Sequence, residues 1–211
     1  MNILRRPIRY SHYNAVFWLI GINFVFYLLM YFLGFRILVP LMSMRPLAIL
    51  GGGWVWTFVT YMFVHGGLGH IIFNMLALYI FGTQVERHMG SGEFLLFYLL
   101  TGTLAGIFSF LMYLLAGQYG IWLMGASGAV FAVSFAYAVL YPESIIYIWG
   151  ILPVRAPLMV IGFTVIELFS QLFRTNSGVA HLTHLAGFGF AWLYFVFRCN
   201  INPWNRLRFW R

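Results

Sequence analysis

Residues 125–141 read GASGAVFAVSFAYAVLY, an apolar stretch that contains no charged side chain and has a serine close to its start. Small residues recur at helical spacing from Gly125 to Ala136, which is typical of helices that pack closely together in a membrane. A helix that spans the hydrocarbon core needs about 20 residues, at a rise of about 1.5 Å per residue. Because Ser127–Tyr141 is shorter, we predict a short helix that is surrounded by longer ones and begins below the membrane surface.

The whole chain has the composition of a membrane protein. Its 211 residues are 63% hydrophobic and only 8% charged, with a mean hydropathy of +0.88, whereas soluble domains carry roughly 25% charged residues. We predict one all-α membrane domain, residues 15–198, between a basic N-terminal segment (1–14) and a basic C-terminal tail (199–211). The six predicted transmembrane helices are Ala15–Phe35, Gly69–Val85, Phe94–Ala116, Ser127–Tyr141, Ala156–Phe173 and His181–Phe197.

The distribution of charge predicts the orientation of these helices. All twelve basic residues are arginines and all four acids are glutamates. Six helices place both termini on one side, and the cytoplasmic side is the one enriched in basic residues. The predicted cytoplasmic arginines are Arg5, Arg6, Arg9, Arg87, Arg155, Arg198, Arg206, Arg208 and Arg211, and the outer ones are Arg36, Arg45 and Arg174. We therefore expect cytoplasmic termini, in a bacterial inner (plasma) membrane, and arginines that contact lipid head groups rather than nucleic acid.

Two segments near the N-terminus need separate interpretation. The first apolar stretch follows basic residues, as a signal peptide does, but it is too long and lacks a small-residue cleavage site, so we expect a retained helix. The segment Gly34–Trp56 contains two prolines, three consecutive glycines and two tryptophans. This composition predicts an irregular element in the outer membrane interface, where tryptophan is favoured, although a plain loop also fits.

Three clusters of polar residues begin the second, fourth and sixth predicted helices. His70 and Asn74 are four residues apart and therefore share one helix face. Ser127 opens the fourth helix, and His181 and His184 open the sixth. Polar side chains in a membrane are costly and are usually functional. Because even-numbered helices all begin at the outer face in this topology, we expect the three clusters to meet at a similar depth.

These residue types suit peptide hydrolysis by a serine nucleophile. The N-terminus of a helix offers Ser127 free backbone N–H groups that favour developing negative charge. A neutral imidazole, from His184 or His181, can accept the hydroxyl proton. His70 and Asn74 can donate hydrogen bonds to an oxyanion. The chain contains neither Lys nor Asp, which excludes an aspartyl dyad, a Ser-Lys dyad and a Ser-His-Asp triad.

Each cluster also has an alternative interpretation. The small residues pack helices, and His70 with Asn74 can form a hydrogen bond between helices. His181 and His184 are three residues apart and could bind a metal, but no HExxH motif occurs and no acid lies nearby, so we predict no metal. Glu167, the one acid well inside a predicted helix, is interpreted as structural. A proton-coupled transporter could also use buried histidines, but it would need an inverted repeat and a polar pathway, and neither is evident.

At these positions the sequence resembles the rhomboid family of intramembrane serine proteases. The resemblance extends from Trp56 to Phe197, and four motifs occur in the family's order. They are His70-x-x-x-Asn74, Glu86-x-x-x-Gly90, Gly125-x-Ser127-Gly128 and His184-x-x-Gly187. Two departures are Thr57, where the family often has Arg after Trp, and Ala191, where Gly is common; the first implies that arginine does not anchor the outer loop.

The resemblance implies a six-helix rhomboid-like bundle with a Ser127–His184 dyad and no third member. His70, Asn74 and the backbone N–H of Ser127 would form the oxyanion hole. The implied substrates are single-span membrane proteins, cleaved near the outer face of the bilayer, and no cofactor is implied. An inactive, client-binding relative is the other outcome within the family, but such relatives typically lack the serine or the histidine. The sequence leaves the oligomeric state open.

Overall fold

The computed structural model describes residues 5, 8–148, 150–173 and 178–207, with the side chains of residues 170–180 excluded. Among these residues, helices occupy all six predicted stretches. They are α1 (Ala15–Leu33), α5 (Leu68–Ala77) with its continuation, α7 (Ser91–Leu115), α8 (Ser127–Leu140), α9 (Ala156–Phe173) and α10 (Gly178–Phe197). Four of the arginines used above to orient the helices lie outside the described residues: Arg6, Arg174, Arg208 and Arg211.

The surface of the helices is apolar, as expected for an integral membrane protein. Large hydrophobic side chains such as Trp18, Phe32 and Leu115 are more than two thirds exposed on the fold, where lipid rather than water must surround them. Within the described residues, three helices are long and apolar enough to cross a membrane: Ala15–Leu33, Leu68–Met89 and Ser91–Leu115. The crossing of the bilayer by all six helices stays a prediction.

The second long helix changes its winding along its length. It begins as α5, passes through a π-helical turn (Leu78–Gly82) and ends as α6 (Thr83–Met89). Buried Glu86 of α6 accepts hydrogen bonds from the first backbone N–H groups of α1, at Ala15 (2.6 Å) and Val16 (3.0 Å). These N–H groups have no partner within their own helix, so Glu86 caps α1 and fixes it beside α6.

The segment between α1 and α5 is largely helical and not a plain loop. It contains α2 (Phe35–Met42), α3 (Pro46–Gly52), α4 (Thr57–Thr60) and a 3₁₀ turn (Tyr61–Phe63). The expectation that arginine does not anchor this segment was wrong. The Arg45 guanidinium lies 4.8 Å from the ring centroid of Trp122, a distance suited to a cation–π contact. Thr57 is buried and donates to the Trp54 carbonyl at 2.6 Å.

The prediction of an all-α fold was also wrong in one place. Strands β1 (Ile145–Ile148) and β2 (Leu152–Arg155) form an antiparallel hairpin between α8 and α9. Isoleucine and tyrosine favour extended strands, and Gly150 adopts a positive φ of 73° in the turn, a conformation that glycine reaches readily. The hairpin lies beyond the C-terminal end of α8, away from the serine that begins it.

Helix α8 lies at the centre of the packing. Most of its residues are buried, and the helix packs against α7, α9, α10 and the second long helix. The closest approach is to α10, where a Cβ added to Gly187 would lie 2.2 Å from the Gly128 carbonyl oxygen. The hydroxyl of buried Tyr61 also lies close to Gly128, and it donates to the Gly102 carbonyl of α7 at 2.7 Å. Small residues therefore bring the backbones of α8 and α10 into contact beside the first turn of α8.

The far end of α10 is held by an ion pair that involves α7. Arg198 donates to the Glu93 carboxylate through Nε (2.7 Å) and Nη2 (2.9 Å), and the Tyr194 hydroxyl donates to the same group. The carboxylate raises the pKa of Arg198 further above its ordinary value. This pairing fixes the lengthwise position of α10 against α7, and hence the height of the residues at the start of α10.

Candidate active site

Ser127 and His184 are hydrogen-bonded to each other. Ser127 is the first residue of α8, directly after Gly125-Ala126, and Gly125 has a positive φ of 113°. His184 lies two turns into α10, and its Nε2 is 2.8 Å from the Ser127 Oγ. The Phe131 ring stacks on the imidazole, with centroids 4.3 Å apart and planes 16° apart. Stacking holds the ring plane so that Nε2 points to the hydroxyl.

A cavity of about 270 Å³ opens at this pair. Its polar lining comes from the two residues just described, from His70 and Asn74 of α5, and from Ser134 of α8. The structure therefore brings together all four residues singled out in the sequence. Aromatic and aliphatic side chains complete the wall, among them Phe73, Ala77, Phe81, Val130 and Phe163. Such a combination of an apolar wall and a few convergent polar groups is typical of a ligand-binding site.

The hydrogen bonds of His70 and Asn74 leave donors available in the cavity. The Gly66 backbone N–H donates to His70 Nδ1 at 3.4 Å, so in the neutral ring the proton lies on Nε2, which becomes a donor. This nitrogen is close to Gly125, where an added Cβ would lie 2.6 Å from it. Asn74 donates one amide hydrogen to the His70 carbonyl at 2.8 Å, which leaves its second amide hydrogen unused by that bond.

His65 packs beside the donor histidine. It lies in the loop before α5, fully buried, and its ring meets that of His70 edge to face with centroids 5.1 Å apart. Burial, together with the neighbouring His70, lowers the pKa of His65 to about 4. His65 is therefore neutral at physiological pH and places no positive charge beside His70. His65 was not among the functional residues predicted from the sequence.

The statement that no acid lies near the two histidines of the sixth helix was wrong. Glu167 reaches across from α9, and its carboxylate oxygens lie 2.9 Å from His184 Nδ1 and 2.5 Å from His181 Nδ1. The side chain is buried, with the residue only 9% exposed. A serine, a histidine and a glutamate thus form a continuous hydrogen-bonded chain, in contrast to the predicted dyad without a third member. The one available signal was the cost of an acid inside an apolar helix.

Glu167, His181 and His184 also have the chemistry of a metal-binding set, with one potential ligand atom each and all three atoms within 4.8 Å of one another. Two histidines and a glutamate are a known ligand combination for zinc. The observed contacts, however, are hydrogen-bond distances between carboxylate and imidazole. The absence of a metal stays a prediction.

The site lies within a segment that matches a protein-family model. Residues 52–201 match the Rhomboid domain, which covers well over half of the chain and includes every residue of the site. The chain belongs to the rhomboid family. This membership agrees with the resemblance inferred from the four sequence motifs and makes the chain an integral membrane protein with a helical fold.

Curated rhomboid relatives come from plants and bacteria. Rhomboid-like protein 11, chloroplastic, of Arabidopsis thaliana is 32% identical in an alignment 189 residues long that covers 82% of this chain and 61% of that protein. RHOMBOID-like protein 12, mitochondrial, of the same plant is 34% identical in an alignment 146 residues long that covers 62% of this chain and 43% of that protein. Rhomboid protease GluP of Bacillus subtilis is 45% identical over 83 residues, 39% of this chain and 15% of that protein. The chain spans less than two thirds of the length of each of these rhomboid proteins.

Proposed function

We propose that this chain is an intramembrane serine endopeptidase in which Ser127 is the nucleophile and His184 the general base. The observation that carries the proposal is the 2.8 Å contact between Ser127 Oγ and His184 Nε2 in a cavity whose lining also includes the hydrogen-bond donors His70 and Asn74. Nucleophile and base within hydrogen-bond reach are the minimum geometry for this chemistry. The name of the Bacillus subtilis relative as a rhomboid protease supports the same interpretation.

The first chemical step forms an acyl-enzyme. The Ser127 oxygen attacks the carbonyl carbon of the scissile peptide bond while its proton passes to His184 Nε2. The carbonyl π electrons move to the oxygen, which becomes the oxyanion. His70 Nε2–H, the free amide hydrogen of Asn74 and the Ser127 backbone N–H donate to this oxyanion. The tetrahedral intermediate then collapses, the C–N bond breaks, and His184 gives its proton to the departing amine.

The second step releases the other product. His184 takes a proton from water as the water oxygen attacks the ester carbonyl, a second tetrahedral intermediate forms, and the bond to Ser127 oxygen breaks. That oxygen recovers the proton from His184, so the enzyme returns to its initial state. Water must therefore reach the cavity, which is consistent with a site near one membrane face rather than at its centre.

We further propose that the substrates are single-span membrane proteins cleaved near the outer face of the bilayer, with both termini of this chain in the cytoplasm. The cavity of about 270 Å³ has a largely apolar wall, which suits a small side chain next to the scissile bond. A substrate helix must unwind there, because a peptide bond inside a helix is shielded by its own turns.

The test uses this 211-residue chain in liposomes with a single-span model substrate. Ser127→Ala and His184→Ala should each abolish cleavage and labelling by a fluorophosphonate probe, while leaving thermal unfolding unchanged. His181→Ala should retain substantial activity. Ser144→Ala is the matched control, because this serine lies beyond the other end of α8 and donates to the Tyr141 carbonyl. Wild-type cleavage by Ser127→Ala would refute the assignment, and loss of activity in His181→Ala with retention in His184→Ala would move the base by one helical turn.

A further inference from the structure

We propose that Glu167 positions His184 for catalysis, so that the site works as a Ser-His-Glu triad rather than as a dyad. The inference rests on the proposed function and extends it to a residue on a third helix. It starts from the contact between a Glu167 carboxylate oxygen and His184 Nδ1, at 2.9 Å, on the side of the ring opposite to Ser127. The ring is therefore held between two partners, one at each nitrogen.

The first consequence concerns the proton on His184. A carboxylate is only an acceptor, so the group facing it at Nδ1 must be an N–H donor. In a neutral imidazole this assignment leaves Nε2 without a hydrogen and with its lone pair directed at the Ser127 hydroxyl. Nε2 is thus ready to accept the serine proton. Without the carboxylate, the ring could carry its proton on Nε2 instead, and this form cannot act as the base.

The second consequence concerns charge during the reaction. When His184 accepts the serine proton it becomes an imidazolium, surrounded by an apolar helix bundle in which an isolated charge is costly. Glu167 supplies the opposite charge at hydrogen-bond distance, and charge-assisted hydrogen bonds are stronger than neutral ones. The carboxylate therefore stabilises the transition state more than the ground state, which is the condition for a rate effect.

His181 completes the arrangement. Its Nδ1 lies 2.5 Å from the second carboxylate oxygen of Glu167, so it donates there and satisfies an acceptor that would otherwise be buried without a partner. The two bonds, one to each oxygen, fix the plane of the carboxylate. His181 itself does not line the cavity. Its role is to orient Glu167, which explains why a second histidine stands one turn from the first.

The distances favour hydrogen bonding over metal coordination. A tetrahedral zinc ion with ligands at about 2.0–2.2 Å keeps those ligands roughly 3.3 Å apart. The two contacts made by Glu167, at 2.5 and 2.9 Å, are shorter than that. A bound zinc would also occupy His184 Nδ1 and force the hydrogen onto Nε2, which removes the base. A metal at this position would therefore inhibit the enzyme rather than assist it.

The test compares Glu167→Gln, Glu167→Asp and the control Thr164→Val. Thr164 is on the same helix, and its hydroxyl donates to the Val160 carbonyl of its own helix. We expect Glu167→Gln to lower kcat by between tenfold and about 10⁴-fold, the latter being the loss when the acid of a serine-protease triad is replaced by its amide. KM should stay unchanged, because Glu167 does not line the cavity in which we place the substrate. Glu167→Asp should restore part of kcat, and Thr164→Val should match the wild type.

The rate at which a fluorophosphonate labels Ser127 provides a second measurement that needs no substrate. It should fall in parallel with kcat in Glu167→Gln, at an unchanged unfolding temperature, and recover in part in Glu167→Asp. If Glu167→Gln and Glu167→Asp both cleave the substrate and are labelled at the wild-type rate, Glu167 is structural. The triad is then refuted, while the proposal of a serine protease stands. If the wild type loses activity in EDTA and regains it with zinc, a metal site replaces the triad. If wild-type Ser127 is neither labelled nor active, the proposed function and the triad both fail.

Discussion

The contact between Gly187 and Gly128 offers the sharpest test of how the fold positions the catalytic pair. Gly187 lies one turn after His184 in α10, and Gly128 directly follows Ser127 in α8. A methyl group added by Gly187→Ala would place its carbon 2.2 Å from the Gly128 carbonyl oxygen. Carbon and carbonyl oxygen approach no closer than about 3.3 Å in ordinary contacts between helices. The two helices must therefore separate locally by about 1 Å.

This displacement acts directly on the reacting atoms. An extra 1 Å or so takes the Ser127–His184 pair, now 2.8 Å apart, beyond hydrogen-bond distance. A misplacement of about 1 Å in a catalytic group costs roughly 10²-fold in rate, so we expect cleavage by Gly187→Ala to fall by about that factor. Overpacking also costs about 1–3 kcal/mol of stability, and the unfolding temperature in detergent should decrease.

The matched control is Gly189→Ala, two residues further along the same helix. A Cβ at Gly189 meets no atom within 4 Å, so this variant should keep wild-type activity and stability. The assay is cleavage of a single-span substrate in liposomes, with fluorophosphonate labelling to count competent sites. Wild-type cleavage by Gly187→Ala at equal protein concentration would refute the reasoning, because it would mean that the helices separate without moving the pair.

Two further predictions concern the oxyanion donors and the topology. Asn74→Ala and His70→Ala should each lower kcat by about 10²–10³, the typical loss for one donor of this kind. They should not abolish cleavage as Ser127→Ala does. Wild-type rates in both variants would mean that the two residues serve only helix packing. In cells, an engineered cysteine at Gln118 should react with an impermeant thiol reagent, whereas one at the exposed Glu143 should not, and the reverse result would invert the protein in the membrane. The native Cys199 contributes little background, because burial raises the pKa of its thiol to about 11.

The positions of the long helices could be predicted from the sequence because their cause is local. Each apolar run must satisfy its backbone hydrogen bonds within the segment wherever lipid replaces water, so the limits of hydrophobicity predict the limits of the helices. The helix that starts at Ser127 begins at the predicted residue and ends one residue before the predicted Tyr141. Motif spacing also indicated correctly that Ser127, His184, His70 and Asn74 would meet, because topology places their helix ends on one side.

Features that depend on packing between distant segments were missed. The contact between Arg45 and Trp122 joins two loops whose proximity nothing in either segment indicates. The hairpin after α8 was not predicted, because a short run of isoleucines does not differ in hydrophobicity from the rest of a very apolar chain. The role of Glu167 was missed for a related reason, since its distance along the chain from His184 gives no indication of which face of α9 it occupies.

The sequence by itself determined that the chain is a helical membrane protein of the rhomboid type with a candidate catalytic serine and histidine, since hydrophobicity and motif order are properties of the linear chain. Only the tertiary structure decided which groups flank that histidine. The rotation of α9 about its own axis directs Glu167 at α10, and the contact of Gly187 with the Gly128 carbonyl sets how closely α8 approaches. Helix rotation and separation are determined by packing across the whole bundle, so no local pattern records them.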